Sequence, residues 1–222
     1  ELLEMVRLAR QAGFRHVSAS QHYLAAPFQY MQPLPVLARV AAEAGEMTLG
    51  TGIMLLALQH PVDVAELIAT LDVICGGRLV FGVGLGYRDV EFDAFGIPRG
   101  RRLSRFLEAL EVVRRLWTEE RVTFQGEHFR LKDVGLTMRP LQKPCPPIVV
   151  AASSDRMVQR VARIGDAWTI AGHATLATLE RQVALYRAAL EAEGKPFPPP
   201  RFSLGKELYI ARDMDTALRE AL

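Results

Sequence analysis

The stretch Gly77-Arg78-Leu79-Val80-Phe81-Gly82-Val83-Gly84-Leu85-Gly86-Tyr87 decides the fold class of this chain. Its β-branched and aromatic run predicts a buried strand, and three alternating glycines end that strand. Because glycine has no Cβ, the backbone of the loop can approach a phosphate or a flat cofactor ring closely. The spacing of Gly82, Gly84 and Gly86 differs from the dinucleotide-binding fingerprint, which needs a wider third gap and a helix that begins at once. A ligand-binding loop is one interpretation, and a glycine-rich strand end without a ligand is the other.

Helical and strand patterns alternate along the rest of the chain. The predicted helices cover residues 2–12, 33–44, 61–75, 101–117, 154–164, 175–193 and 213–222, and the predicted strands cover residues 14–20, 47–55, 78–84, 147–152, 166–171 and 201–210. Gly13 and Gly45 lie after predicted helices, and Pro61 lies at a helix start. Apolar strands in alternation with helices predict an α/β fold with a parallel sheet.

Two architectures fit this alternation, an open doubly wound sheet and a closed (β/α)8 TIM barrel. The chain opens and closes on helical patterns, so a strand before Glu1 and another after Leu222 would bring the strands to eight. The order of elements therefore favours a barrel that lacks its first strand and its last strand–helix unit, formed by a single domain over residues 1–222.

Composition argues against several classes of protein. The net charge is +2, and the densest basic cluster, at residues 99–105, has no aromatic residues that alternate with its arginines, so we expect no nucleic-acid partner. The two cysteines, Cys75 and Cys145, lie far apart without metal-ligand spacing, so we expect neither a disulfide framework nor a metal site. No apolar run reaches the ~18 residues of a membrane span, and no leader pattern begins the chain, which predicts a soluble, cytoplasmic protein.

Ligands of parallel α/β folds bind beyond the carboxyl ends of the strands. His22, with Gln21 and Tyr23 beside it, directly follows the first predicted strand. That position suits a proton donor or a ligand-orienting group. His22 is therefore the candidate catalytic residue, and a hydrogen-bonded loop histidine is the alternative.

A pair of serines suggests where a phosphate binds. Ser153 and Ser154 come directly before a predicted helix. Their hydroxyls and the free N–H groups of the first helical turn can hold a phosphate at the positive end of the helix dipole. Serine is also a favoured N-cap without any anion, so an ordinary cap is the alternative.

Other polar residues have structural interpretations. His60 precedes Pro61 at a helix start and is expected to bond backbone, and His128 falls in a predicted surface hairpin over residues 122–131. Glu91 is expected to orient a loop or an arginine rather than to transfer protons. A nucleophile elbow, a Walker loop and an HExxH helix are absent from the sequence.

Several segments, taken in order, carry a resemblance to a known family. They include Ala12-Gly13-Phe14, Ser20-Gln21-His22-Tyr23, Leu49-Gly50-Thr51-Gly52-Ile53, Gly82-Val83-Gly84-Leu85-Gly86-Tyr87, Phe95-Gly96, Arg139-Pro140, Ser153-Ser154-Asp155 and Gly165-Asp166-Ala167-Trp168. Together they resemble the bacterial luciferase-like superfamily of flavin- and deazaflavin-dependent oxidoreductases over nearly the whole chain. The resemblance implies a (β/α)8 barrel with an insertion at about residues 119–146, and a homodimer.

The resemblance also implies where the cofactor binds. Its ring would pack against Thr51, Gly52 and Ile53, with a non-prolyl cis peptide at Gly52-Ile53. The remaining cofactor-binding positions, with the phosphate near the last four, would be Gly84, Gly86, Tyr87, Ser153 and Ser154. His22 is similar in position to a histidine that many members place near the reactive ring. Gln21 stands where luciferase has its better-known catalytic histidine.

The function implied by the resemblance is that of a reduced-FMN-dependent monooxygenase. Such an enzyme acts with O2 on a small organic substrate, and a separate flavin reductase can supply the reduced flavin. One alternative is hydride transfer with an 8-hydroxy-5-deazaflavin coenzyme, and another is a catalytically silent flavin-binding barrel. A hydrophobic substrate would suit the apolar residues Leu24, Phe28, Tyr30 and Met54.

Overall fold

The computed structural model describes residues 1–170, 172–205 and 209–221. The chain divides into two compact units, Glu1–Ala151 and Ala152–Leu222. Each unit is a mixture of helices and strands. The single domain with an insertion that the sequence suggests stays a prediction.

The first unit holds most of the regular structure. Its elements are α1 (Leu2–Gln11), β1 (His16–Ala19), α2 (Pro33–Val40), β2 (Thr48–Thr51), β3 (Met54–Leu55), α3 (Pro61–Ile74), β4 (Leu79–Gly84), α4 (Asp89–Ala94), α5 (Arg102–Thr118), β5 (Val122–Gln125), β6 (Arg130–Val134) and β7 (Ile148–Ala152). The last residue of β7 belongs to the second unit. Short 3-10 turns precede α3 and α5.

The second unit has fewer elements among its described residues. They are α6 (Asp155–Ile164), β8 (Ala167–Ile170), α7 (Leu176–Ala192), β9 (Ser203–Leu204) and α8 (Met214–Ala221). Strands β8 and β9 pair in parallel, with Thr169 opposite Ser203. Trp168 and Tyr186 are fully buried and meet edge to face, with ring centroids 5.4 Å apart.

Parallel strands form the sheet of the first unit, in the order β1-β2-β4-β7, and β3 also pairs with β4. All six residues of β4 are buried, because neighbouring strands cover both of its edges and helices cover the sheet. Thr51 faces Ala19 across β1 and β2, and Val83 faces Val150 across β4 and β7. The predicted α/β fold with parallel strands is confirmed.

The helices of the first unit pack through aromatic contacts and one long-range hydrogen bond. The indole of Trp117 in α5 donates to the carbonyl oxygen of Ala65 in α3 at 3.0 Å. Its ring meets that of Phe81 in β4, with centroids 5.4 Å apart. A buried indole N–H needs a partner, so this bond aligns α5 with α3 while the ring fills the space above the sheet.

The structure corrects the predicted strand over residues 47–55. Strand β2 ends at Thr51 and β3 begins at Met54, and the peptide Gly52-Ile53 between them is cis, which confirms the isomer implied by the resemblance. The two short strands pair with β4 at different places along its length. The apolar pattern of residues 47–55 predicted one strand. It did not show that the backbone stops pairing with the neighbouring strands at Gly52.

Two helices also differ from the prediction. Helix α4, Asp89–Ala94, lies where a loop was expected, with acidic residues in its first turn and Gly96 after its end. Helix α2 is shorter than predicted, because the N–H groups of Glu43 and Ala44 both bond the carbonyl oxygen of Val40 and tighten the chain into turns.

Near the carboxyl terminus, β9 covers only two residues of the strand predicted over residues 201–210. Residues 206–208 of that prediction lie outside the described residues, as do residue 171 of a predicted strand and residue 222 of a predicted helix. Within the described ranges, no helix combines the length and the hydropathy needed to cross a bilayer.

The contact of β2 with β4 at Gly82 generates a prediction. A Cβ on Gly82 would overlap the carbonyl oxygen of Thr51, so Gly82→Ala should lower the free energy of unfolding by about 2 kcal/mol or more. Gly100→Ala is the control, because a Cβ there meets nothing within 4 Å, and it should change that free energy by less than about 0.5 kcal/mol. Urea denaturation measures both, and similar small changes would contradict the prediction.

Candidate functional site

Gln21 joins the carboxyl end of β1 to β3. Its side-chain oxygen accepts the N–H of Leu55 at 2.9 Å, and its amide nitrogen donates to the hydroxyl of Tyr23 at 3.0 Å and to Gln32 at 3.1 Å. The backbone N–H of Gln21 bonds the carbonyl oxygen of Ile53 at 3.2 Å. Both polar atoms of the Gln21 side chain therefore hold the strand ends together, and the role of Gln21 is structural.

The next strand end carries the predicted ring-binding residues. The hydroxyl of Thr51 donates to the carbonyl oxygen of Gly82 at 2.6 Å, and the N–H of Gly52 bonds Ala19 at 2.8 Å. Gly52 is exposed, whereas Thr51 is buried and Ile53 is half-buried. The backbone between β2 and β3 thus exposes Gly52, and the hydrogen bonds of Thr51 and Gly52 hold this backbone in place.

The glycines after β4 have distinct roles. A Cβ on Gly84 would lie 2.7 Å from Cδ1 of Ile53, so a larger residue there would require the Ile53 side chain to move. Gly86 has a φ of +79°, which favours glycine, and Tyr87 beside it is 66% exposed. Of Gly82, Gly84 and Gly86, only Gly86 has a positive φ, and it lies in the loop after β4.

His22 lies at this edge, where the structure pairs it with a residue that the sequence reasoning did not connect to it. Its Nδ1 is 2.9 Å from Oε1 of Glu91 in α4. The side chain of His22 is 19% exposed and that of Glu91 is 0% exposed. The His22 ring meets the edges of Tyr30 and Tyr87, with centroids 5.2 and 5.9 Å away.

Glu91 also orients the chain that follows His22. The same Oε1 accepts the N–H of Tyr23 at 2.9 Å and lies 3.5 Å from Nη1 of Arg88. Arg88 in turn donates to the carbonyl oxygens of Tyr23 at 2.8 Å and Leu24 at 3.1 Å. The expectation that Glu91 orients a loop and an arginine is confirmed. That expectation missed His22, although both residues follow carboxyl ends of predicted strands.

The phenol of Tyr23 is part of the same network. Its oxygen accepts hydrogen bonds from the side chains of Gln21 and, at 2.8 Å, Gln59. Burial raises the pKa of Tyr23 above its ordinary value, although the Gln59 hydrogen bond acts in the opposite direction. Tyr23 is therefore a neutral hydrogen-bonded anchor at physiological pH, and its ring packs against Phe95 at 4.7 Å.

Apolar side chains are exposed in the segment after His22. Phe28 is 73% exposed, and Leu24, Tyr30 and Met31 are exposed with it. Met54, which the sequence grouped with these residues, is only 2% exposed and belongs to the core. An apolar surface beside His22 thus comes from the segment 24–31 and not from β3.

Ser153 and Ser154 belong to the second unit and are both exposed. Ser154 is the N-cap residue of α6, but its side chain makes no capping hydrogen bond. The carbonyl oxygen of Ser153 accepts the side-chain amide of Gln182 at 2.9 Å, which fixes the backbone at this turn. Ser154 therefore occupies the cap position, while its hydroxyl is not used for capping.

The two remaining histidines of interest have structural environments. Nδ1 of His60 accepts the N–H of Val62 at 3.3 Å at the start of α3, as expected. His128 bonds Ser104 at 2.8 Å and lies in the predicted hairpin, which is confirmed as the antiparallel pair β5 and β6. His128 also lies near Glu108, whose oxygens accept backbone N–H groups of the hairpin.

The sequence of this chain is similar to those of known proteins. A family model described as luciferase-like monooxygenase matches residues 1–222. The F420-dependent hydroxymycolic acid dehydrogenase of Mycobacterium tuberculosis is 32% identical over 229 residues, which cover 99% of this chain and 61% of that protein. The chain spans about half to three fifths of the length of the curated relatives it matches, from 49% to 61%.

Solved structures are similar to this chain in fold. The monooxygenase RslO1 from Streptomyces bottropensis has a TM-score of 0.89 at 32% identity, with 99% of this chain and 68% of that chain covered. The FMN complex of the oxygenating constituent of 3,6-diketocamphane monooxygenase from Pseudomonas putida has a TM-score of 0.87 at 19% identity, with coverage of 98% and 64%. That second likeness concerns the fold alone.

The hydrogen bonds of Tyr23 lead to a prediction about stability. Tyr23→Phe leaves the amide groups of Gln21 and Gln59 without their common acceptor, so the free energy of unfolding should fall by about 1–2 kcal/mol. Tyr30→Phe is the control, because the Tyr30 hydroxyl makes no hydrogen bond with the described residues. Thermal unfolding of the two variants should separate them, and equal stability would show that the Tyr23 hydroxyl is dispensable.

Proposed function

This chain belongs to the luciferase-like monooxygenase family, and from that premise we propose that it is the core of an oxidoreductase that uses a reduced flavin or deazaflavin. The form we favour is a reduced-FMN-dependent monooxygenase that acts with O2 on a small organic substrate. One observation carries the proposal. His22 is held by buried Glu91 at the edge of the parallel sheet and contacts the exposed aromatic rings of Tyr30 and Tyr87.

The residues at the strand ends fit a flat cofactor ring. Gly52 and Gly86 present backbone rather than side chains after β2 and β4, which is the surface that a ring needs for close approach. We propose that Thr51, Gly52 and Ile53 support the ring and that Gly84, Gly86 and Tyr87 adjoin the cofactor. A bound reduced flavin supplies electrons for reaction with O2, and a bound deazaflavin supplies a hydride.

The chain's own residues then have three tasks. His22 transfers or orients a proton, with Nε2 as the atom available to a bound molecule. The apolar side chains of segment 24–31 cover the substrate and exclude water from it. In the second unit, Ser153 and Ser154 bind a phosphate through hydroxyls that do not cap α6.

A deazaflavin-dependent hydride transfer is the second candidate function. The observation that favours it is the 32% identity to an F420-dependent dehydrogenase over 99% of this chain. The monooxygenase RslO1, equally identical at 32%, supports the first candidate. In the deazaflavin case, Gln21 and His22 keep the positions described above and the cofactor differs.

Further features of the whole protein are proposed from the family and the sequence. We expect a (β/α)8 barrel, of which the parallel strands form part, and a homodimer in the cytoplasm. A small-molecule substrate and, for FMN, a separate flavin reductase are the expected partners. Purification of the full-length protein with measurement of its mass in solution tests the dimer.

The first test is an anaerobic titration of the full-length protein with reduced FMN and, in parallel, with the reduced deazaflavin coenzyme. The first candidate function predicts that FMN binds at least tenfold more tightly, a difference of about 1.4 kcal/mol. Oxygen uptake by the loaded protein, followed with an electrode, then reports reaction with O2. Preference for the deazaflavin would support the second candidate, and binding of neither would favour a catalytically silent barrel.

The phosphate assignment has its own test. Ser153→Ala should raise the Kd of FMN by roughly tenfold or more, because a hydrogen bond to a charged group is worth about 1.5–3 kcal/mol, and should leave riboflavin affinity within about twofold. Ser203→Ala, a serine change in the same unit whose hydroxyl bonds Thr169, is the control. Equal weakening of FMN and riboflavin by Ser153→Ala would remove the phosphate assignment.

A further inference from the structure

Glu91 is a buried carboxyl group with an unequal distribution of partners. Its Oε1 lies within hydrogen-bond distance of Nδ1 of His22 and accepts the N–H of Tyr23. The guanidinium of Arg88 lies 3.5 Å from the same oxygen. Its Oε2 is buried and makes no hydrogen bond within the described parts of the chain. Burial of a carboxylate costs free energy that hydrogen bonds must offset, and one oxygen here contributes nothing to that offset.

The contact with Glu91 determines which nitrogen of His22 carries hydrogen. Oε1 of Glu91 already accepts the N–H of Tyr23 and faces the guanidinium of Arg88, so it acts as an acceptor and Nδ1 is the donor across the 2.9 Å contact. In the neutral ring, the lone pair then lies on Nε2. Nε2 makes no hydrogen bond with any described residue.

The surroundings of the ring restrict it further. The rings of Tyr30 and Tyr87 lie in T-shaped contact with the His22 ring, with centroids 5.2 and 5.9 Å away, and the His22 side chain is 19% exposed. Glu91 cannot move easily, because α4 places it beneath the segment that Arg88 ties down through Tyr23 and Leu24. The imidazole is thus held at one nitrogen while the other is left for a bound molecule.

We propose that Glu91 is a positioning residue that fixes His22 in the Nδ1–H tautomer and directs Nε2 to the reacting molecule. This inference rests on the proposed function for its effect on turnover. When Nε2 takes a proton from an O–H or N–H group of a bound molecule, the bond to hydrogen breaks, its electron pair stays on the donor atom and an N–H bond forms. Oε1 of Glu91 accepts the Nδ1–H bond throughout, and return of the proton from Nε2 restores the neutral ring.

The tautomer is measurable without any cofactor. In the full-length protein with nitrogen-15-labelled histidine, the imidazole shifts of His22, assigned by their loss in His22→Ala, should report the Nδ1–H form at a pH where the ring is neutral. Glu91→Ala, which removes the acceptor of Nδ1–H, should populate the Nε2–H form. Asp93→Asn is the matched control, because it removes an exposed acidic group from the same helix and should leave the spectrum unchanged.

Measurements of kcat and KM distinguish a positioning role of Glu91 from a role limited to loop support. Glu91→Gln should lower kcat at least tenfold and leave KM and cofactor affinity within about twofold, and Glu91→Asp should recover part of the rate. Because Glu91 acts through His22, adding Glu91→Gln to His22→Ala should cause no further loss of rate.

Either of two results would overturn the inference. One is an Nε2–H form of His22 in the wild-type protein, which is decisive even where Glu91→Ala does not fold. The other is a double variant whose loss of rate equals the product of the losses in the two single variants. Failure of both cofactors to bind would count against the proposed function instead, and the wild-type spectrum would still decide the role of Glu91.

Discussion

The close approach of β2 to β4 at Thr51 and Gly82 is the constraint on which the first unit depends. The Thr51 carbonyl oxygen occupies the space where any Cβ on residue 82 would lie, and the Thr51 hydroxyl donates to the Gly82 carbonyl oxygen. Both groups are buried, so their polar atoms must find partners within the protein. A glycine in the middle of an apolar strand is thereby a packing requirement before it is a ligand-binding signal.

Strand β2 ends at this contact, on the edge where the candidate site lies. The chain leaves the ladder at Gly52 and rejoins β4 as β3, and the N–H of Leu55 is bonded by the side chain of Gln21. A polar side chain thus connects two strand ends where backbone pairing is interrupted. Gln21 serves this connection, so the position next to His22 has a structural role.

Around His22 the structure combines a rigid side and an open side. Buried Glu91, Arg88 and the Tyr23 backbone hold one side of the ring, whereas exposed aromatic and aliphatic residues border the other. Low-dielectric surroundings strengthen the interaction of His22 with Glu91, since solvent screens buried charges least. This polarity, with fixed charge behind and apolar surface in front, suits a histidine that acts on a bound organic molecule.

Much of this protein follows from its sequence. Apolar periodicity predicted the α/β fold and most element bounds within a few residues, and local chemistry predicted the backbone role of His60 and the hairpin around His128. Family resemblance located the cis peptide at Gly52-Ile53. What only the tertiary structure decided is the pairing of His22 with Glu91, which lie 69 residues apart, and the short helix that presents Glu91. Periodicity reports how a residue relates to its near neighbours, whereas this pairing arises because parallel strands bring distant carboxyl ends to one edge of the sheet.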